Sequence, residues 1–118
     1  MISSVYYIEP KDITSSGTLK PNVTKGKKSI VMVHSNSCGH CIQAKPAFEE
    51  LSTQRNDINT LAIQLDDPDS LPHSAVKDWY PEFQGVPVFF LFDSEGNFQG
   101  VHNGNRDSQS LGSSVDAI

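Results

Sequence analysis

The chain has 118 residues, 36% of them hydrophobic, with six Phe, three Tyr and one Trp, so it can bury a single core over residues 1–118 without metal or disulfide staples. A net charge of −5 disfavours nucleic-acid binding. Only two cysteines are present, which excludes a disulfide-dense scaffold and a four-cysteine zinc site. No apolar run approaches the length of about 18 residues that a membrane span needs.

The first predicted strand is a short β-branched and aromatic run at residues 5–8. Residues 11–28 follow, rich in Ser, Thr, Gly and Pro, with five lysines and one aspartate, a net charge of +4. This composition predicts a solvated, mobile basic loop, and a contact surface for an acidic partner is the alternative. Residues 29–118 carry four bases and twelve acids, a net charge of −8.

A near-continuous apolar run at residues 29–34 is typical of a strand that is covered on both faces. A turn separates it from a predicted helix over residues 39–54, in which Pro46 is expected to cause a kink. The helix is predicted from apolar residues that recur three or four positions apart, namely Cys41, Ala44, Phe48 and Leu51.

Large apolar residues occupy every second position of residues 61–65, which predicts a strand, and apolar residues at helical spacing predict a helix over 75–83. Residues 86–92 and 98–102 are predicted to pair as a hairpin. Helical spacing also predicts a weak final helix over 111–118. From residue 29 onward the order is βαβαββα. This order favours an α/β fold in which a mixed sheet carries helices on both faces.

The two cysteines form a Cys38-Gly39-His40-Cys41 motif where a predicted strand ends and a helix begins. A thiolate is the species that attacks a disulfide, and a helix N-terminus favours an anion. We therefore predict Cys38 as the nucleophile with the lower pKa, and Cys41 as the resolving thiol that releases the mixed disulfide. His40 is predicted to stabilise the Cys38 thiolate by its charge or by a hydrogen bond.

Two other uses of the cysteine pair remain open. A structural disulfide would close a loop of only four residues and would remove little chain entropy. A metal site would have half of its ligands in Cys38 and Cys41, and its remaining ligands would have to come from the four histidines. These histidines are His34, His40, His73 and His102.

Pro87 opens the most apolar predicted strand, although proline lacks the N–H that a central strand needs. Either proline is tolerated here as the first residue of the strand, or the Val86–Pro87 bond is cis and lies close to a site.

Taken together, these residues resemble the thioredoxin superfamily over roughly residues 29–106. The shared features are the Cys-x-x-Cys motif at a helix start, Pro46 five residues after Cys41, and Gly-Val-Pro at residues 85–87 before a hydrophobic strand. The CGHC motif is similar to that of protein disulfide isomerase domains. The resemblance implies a thioredoxin-like fold with a mixed sheet of four or five strands, a cis Pro87 packed against the cysteines, and substrate binding at Gly39, Val86 and Pro87.

Two positions depart from the family pattern. Ser37 stands where the family usually has Trp, and Met32 stands where a buried acid usually helps to deprotonate the resolving thiol. Cys41 therefore lacks its usual proton acceptor unless His34, water or another group replaces it. Because of these two departures, a thioredoxin-fold binding module with weak redox activity is the alternative function.

The sequence thus predicts a thiol–disulfide oxidoreductase that acts on protein or peptide disulfides, exchanges electrons with a cellular redox partner and needs no cofactor beyond its own cysteine pair. We expect a monomer that binds neither nucleic acid nor membrane. The chain has no recognisable signal peptide or C-terminal retention signal. A cytoplasmic protein is expected, with a viral protein or a trimmed domain of a secretory protein as alternatives.

Overall fold

The computed structural model describes residues 4–118, which form a five-stranded mixed sheet in the order β1-β3-β2-β4-β5. Neighbours β1, β3 and β2 run parallel, whereas β4 is antiparallel to both β2 and β5. The strands are β1 Tyr6–Tyr7, β2 Ser29–His34, β3 Asn59–Gln64, β4 Val88–Phe92 and β5 Phe98–Val101. The predicted mixed sheet is confirmed, with five strands.

Four helices accompany the sheet: α1 Pro21–Thr24, α2 Gly39–Gln54, α3 His73–Trp79 and α4 Ser108–Asp116. Helix α3 ends earlier than predicted, because Pro81 disfavours the helical conformation at Tyr80. Helix α4 begins earlier than predicted, because the Asp107 carboxylate caps it by accepting a hydrogen bond from the Ser110 N–H at 2.8 Å. None of the helices in this part of the chain is long and apolar enough to cross a membrane.

The central strand β2 is buried along its whole length, so its alternating side chains enter two separate layers. Ile30 and Met32 face α2 and α4, in what we call the α2 side of the sheet. Val31 and Val33 face the layer that contains Val76 of α3, which we call the α3 side. The predicted placement of helices on both faces is therefore confirmed.

The basic segment 11–28 differs from the solvated loop that its composition predicts. It contains helix α1, and Ile13 pairs with Leu19 in a β-bridge. Leu19 and Val23 are buried on the α3 side, four residues apart. Buried Asp12 accepts hydrogen bonds at 2.9 Å from the Tyr6 hydroxyl and from the backbone N–H of residue 9. The prediction was wrong for these residues because a few apolar side chains and satisfied polar groups anchor the segment to the core.

Candidate active site

Cys38 follows β2 after a three-residue turn and is the N-cap residue of α2. Its backbone is extended, and its Sγ accepts a hydrogen bond from the Cys41 N–H at 3.1 Å. Sulfur therefore occupies the place of the side-chain oxygen that usually caps a helix. A negative charge on Sγ would be favoured there by the free N–H groups and by the positive end of the helix dipole.

Cys41 lies one turn further along α2 and is only 2% exposed, in the core layer that also contains Met32. Burial is the main cause that raises the pKa of Cys41 to about 11, and its hydrogen bond with Cys38 raises it further. A hydrogen bond with the Ser35 backbone opposes this rise, and the positive charge of Arg106 does so to a smaller extent. Cys41 is therefore a neutral thiol at pH 7, and a base must take its proton before it can attack a disulfide. Both cysteines are free thiols in this structure.

The Val86–Pro87 peptide bond is cis, as the family resemblance implied. The Cys38 thiol lies 3.5 Å from the Val86 carbonyl oxygen, to which it donates a hydrogen bond. Strand pairing explains this contact across 48 residues: Val33 pairs with Val88, so the start of antiparallel β4 lies beside the end of β2. The structure thus brings together Cys38, Cys41 and the Val86–Pro87 bond.

Gly39 and His40 are both exposed in the first turn of α2, next to the Cys38 sulfur. Within residues 4–118, no hydrogen bond joins the His40 ring to Cys38. A contribution of His40 to the stability of the thiolate would therefore act through its charge.

Met32 is 1% exposed, so an apolar side chain fills the position where the family usually has a buried acid. Beside it, a cavity of about 210 Å³ lies between α2 and the β1 edge, and Tyr7, His34, Lys45 and Glu49 supply its polar lining. The sequence analysis named His34 and missed the other three. Lys45 could have been found from its position four residues after Cys41 on one helix, whereas Tyr7 joins the cavity only through the sheet.

His34 is 3% exposed, and its Nε2 lies 3.1 Å from the Tyr7 hydroxyl. Burial lowers the pKa of His34, the charge of Lys45 lowers it further, and Asp66 opposes both. The lowered pKa favours the neutral form of the ring and makes it a weaker proton acceptor than an exposed histidine.

The sequence analysis also missed Arg106, an exposed residue in the loop between β5 and α4. Its charge lowers the pKa of Cys41, against the effect of burial. No spacing in the sequence connects these two residues, and only the packing of the final helix brings them near each other.

The residues that the metal alternative would need are not assembled in the part of the chain that the structure describes. No group of three or more His, Cys, Asp and Glu side chains in this part is placed to hold a metal ion. Cys38 instead contacts the Val86 carbonyl oxygen and the Cys41 N–H.

A five-stranded mixed sheet, a Cys-x-x-Cys motif at a helix N-terminus and a cis proline facing it define the class of thioredoxin-like domains. The family model named Thioredoxin matches residues 12–117. The chain therefore belongs to the thioredoxin family.

Three known proteins illustrate the similarity. A putative thioredoxin-like protein of Invertebrate iridescent virus 6 is 42% identical over an alignment of 103 residues, and the match covers 75% of this chain and 75% of that protein. A protein disulfide-isomerase of Schizosaccharomyces pombe is 30% identical over 101 residues, 85% of this chain but only 27% of that protein. Spinach chloroplast thioredoxin f shares the fold, with a TM-score of 0.68 at 17% identity over 98% of this chain and 94% of the other.

Proposed function

We propose that this protein is a thiol–disulfide oxidoreductase that exchanges disulfides with proteins or peptides through Cys38 and Cys41. The observation that carries the proposal is the position of the Cys38 sulfur. It lies at the start of α2, 3.1 Å from the Cys41 N–H and 3.5 Å from the Val86 carbonyl oxygen, with the Cys41 thiol buried behind it. A protein disulfide-isomerase matches 85% of the length of this chain at 30% identity, which supports this proposal.

The reaction has two exchange steps. The Cys38 thiolate attacks one sulfur of the substrate disulfide, the substrate S–S bond breaks, and the other substrate sulfur leaves as a thiolate. Cys41 then loses its proton to a base and attacks the Cys38 sulfur, which releases the second substrate sulfur and forms the Cys38–Cys41 disulfide. The substrate gains the two electrons that the cysteine pair loses, and a partner dithiol restores the pair. The reverse sequence oxidises a substrate.

The proposal is tested by insulin reduction and by refolding of scrambled ribonuclease, with the wild-type protein compared with Cys38→Ser and Cys41→Ser. We expect both activities in the wild type and neither in Cys38→Ser, with circular dichroism as the control for folding. If the wild type and Cys38→Ser are equally inactive although both are folded, the proposal fails.

The reduction potential of the Cys38–Cys41 pair would set the direction of electron flow. A value near about −270 mV, as in thioredoxin, would make the protein a reductase, and a value near about −180 mV, as in protein disulfide isomerase, an oxidant or isomerase. The CGHC motif leads us to propose the second.

A second candidate is a binding module that forms mixed disulfides but resolves them slowly. The specific observation in its favour is that Met32 is apolar while burial raises the pKa of Cys41 to about 11. Single-turnover kinetics with a model peptide disulfide separate the two candidates. Fast formation followed by slow release would favour the module, and comparable rates would favour the enzyme.

A further inference from the structure

A recess of about 250 Å³ adjoins Val86, the residue that contacts the proposed nucleophile. Leu65, Phe83 and Val86 supply its apolar lining, and Asp66 and His73 line it as well. Val86 joins the recess to the reacting sulfur, because its carbonyl oxygen lies 3.5 Å from Cys38 Sγ. A substrate peptide whose cysteine reaches Cys38 would therefore place a neighbouring residue at this recess.

The apolar wall of the recess is held in place by the core. Phe83 is 7% exposed and belongs to the core layer on the α3 side, against which Leu65 and Val86 also pack. The rings of His73 and Phe83 lie 6.1 Å apart between their centroids. A side chain that enters the recess thus meets a preformed apolar surface and has little to rearrange.

Asp66 supplies the charge of the recess. Its Oδ2 accepts a hydrogen bond from the Asn36 N–H at 3.0 Å, which fixes the carboxylate beside the turn that leads to Cys38. Asp66 and His73 are the only titratable residues that line the recess among residues 4–118, so no lysine or arginine of its lining neutralises the carboxylate. The charge of Asp66 also reaches the interior, where it acts to raise the pKa of His34.

We propose that this recess binds the side chain of the residue next to the substrate cysteine and selects lysine or arginine there; this inference rests on the proposed function. Both side chains combine an apolar stem with a cationic end. The stem would cover Leu65, Phe83 and Val86, and the cation would face Asp66. The volume is below the range of about 300–1,000 Å³ that whole small molecules occupy, and it suits one side chain.

The test compares rates of reduction by the wild-type protein for three short peptide disulfides that differ only in the two residues flanking the cysteine, which are both Lys, both Leu or both Glu. We expect the Lys peptide to react about two- to fivefold faster than the Leu peptide, the range of an exposed ion pair, and the Glu peptide to react slowest. The preference for Lys over Glu should shrink as salt rises. Equal rates for Lys and Glu, or a preference for Leu over Lys, would overturn the inference.

Variants of Asp66 show whether the recess causes the preference. Asp66→Asn keeps an oxygen for the Asn36 N–H but removes the charge, so the advantage of the Lys peptide over the Leu peptide should disappear. Asp66→Lys should favour the Glu peptide. Asp69→Asn removes an exposed charge from the same loop outside the recess, and it should leave the preference intact. If Asp66→Asn retains the wild-type preference, the recess is not its source.

A binding measurement keeps the inference separate from the proposed chemistry. The Cys38→Ser protein is titrated with the same peptides in which serine replaces cysteine, and the Leu65 methyl signals are followed by nuclear magnetic resonance. We expect shifts with the Lys peptide, and smaller shifts with Glu or in Asp66→Asn. If these shifts are seen but the wild-type protein exchanges no disulfides, only the proposed oxidoreductase activity is rejected. If the Lys and Glu peptides cause equal shifts, the proposed role of the recess is rejected.

Discussion

Cys38 and Cys41 occupy different environments although only two residues separate them. Cys38 is half-buried at the helix N-terminus and accepts an N–H hydrogen bond, whereas Cys41 is 2% exposed and has its pKa raised to about 11 by burial. This asymmetry suits an attacking thiolate and a resolving thiol. In the proposed exchange, deprotonation of Cys41 would be the demanding step, because Met32 offers no acceptor.

Met32→Asp should accelerate release of the mixed disulfide about tenfold or more at pH 7, since a carboxylate beside Cys41 can accept its proton. It should also destabilise the fold, because an unpaired polar group in the core costs about 1–3 kcal/mol and a charge costs more. Stopped-flow measurement of release between pH 6 and pH 9 checks the rate.

Met32→Asn is the matched control for this variant. Asparagine has nearly the same shape as aspartate and is also polar, but it cannot accept the proton. Met32→Asn should therefore destabilise the fold without accelerating release. Equal release rates in Met32→Asp and the wild type would mean that another group already accepts the proton.

His34 should make stability depend on pH. Burial lowers its pKa in the folded state below the ordinary value of about 6.5, so between these two pKa values the unfolded chain binds the proton and the folded chain does not. The free energy of unfolding should therefore be highest above about pH 6.5 and should fall as the pH drops toward the folded-state pKa.

Urea denaturation at pH 7.5 and pH 5.0 measures this effect. His34→Gln should lose less stability between the two pH values than the wild type, since glutamine does not titrate. His40→Gln, at an exposed position, should behave like the wild type. A wild-type loss that persists unchanged in His34→Gln would show that other groups cause it.

At the scale of elements, the site is a consequence of strand pairing. Antiparallel β4 begins beside the carboxyl end of β2, and α2 begins at the same edge, so the Val86–Pro87 bond and Cys38 meet there. The hairpin that follows β4 also holds the basic segment, because the Gly96 carbonyl accepts a hydrogen bond from the Leu19 N–H at 3.0 Å.

Gly96→Ala should lower the free energy of unfolding by roughly 2–5 kcal/mol. Gly96 has a φ of +87°, and a Cβ atom there would overlap the Leu19 backbone, so a left-handed penalty of about 1–2 kcal/mol adds to a steric one of about 1–3 kcal/mol. Urea denaturation gives the value.

Gly26→Ala separates the two contributions. Gly26 has a similar φ of +76° with nothing within 4 Å of a Cβ atom, so only the conformational penalty applies. We expect this variant to cost about 1–2 kcal/mol. If both variants are equally stable, the contact between the hairpin and the basic segment does not constrain residue 96.

At the scale of the whole molecule, one sheet separates two core layers. Phe48 of α2 and Phe90 of β4 are each at most 1% exposed and lie on opposite sides of the sheet. Because β2 and β4 contribute side chains to both layers, the two layers should unfold together.

Phe48→Ala and Phe90→Ala should each lower the free energy of unfolding by about 3–5 kcal/mol, through loss of buried surface and formation of a cavity. For both variants, urea curves followed by far- and near-ultraviolet circular dichroism should coincide, as one cooperative transition requires. Separate transitions in either variant would show that the layers unfold independently.

The sequence by itself determined the features that depend on local pattern. The apolar run of β2, the apolar spacing of α2 and the adjacent Cys-x-x-Cys motif placed a helix N-terminus at Cys38, because periodicity and capping act over a few residues. The family resemblance added the cis Pro87, and both faces of the sheet received helices as predicted.

Only the tertiary structure decided the contacts between distant segments. The burial of Leu19 and Val23 anchors a segment whose composition predicted a solvated loop. The pKa of Cys41 depends on Arg106, and the cavity beside Met32 depends on Tyr7, both of which reach the site through the fold. The burial of a side chain, the charge around it and the shape of a cavity depend on strands and loops that are far apart in sequence. No spacing of residues within a short stretch of sequence predicts them.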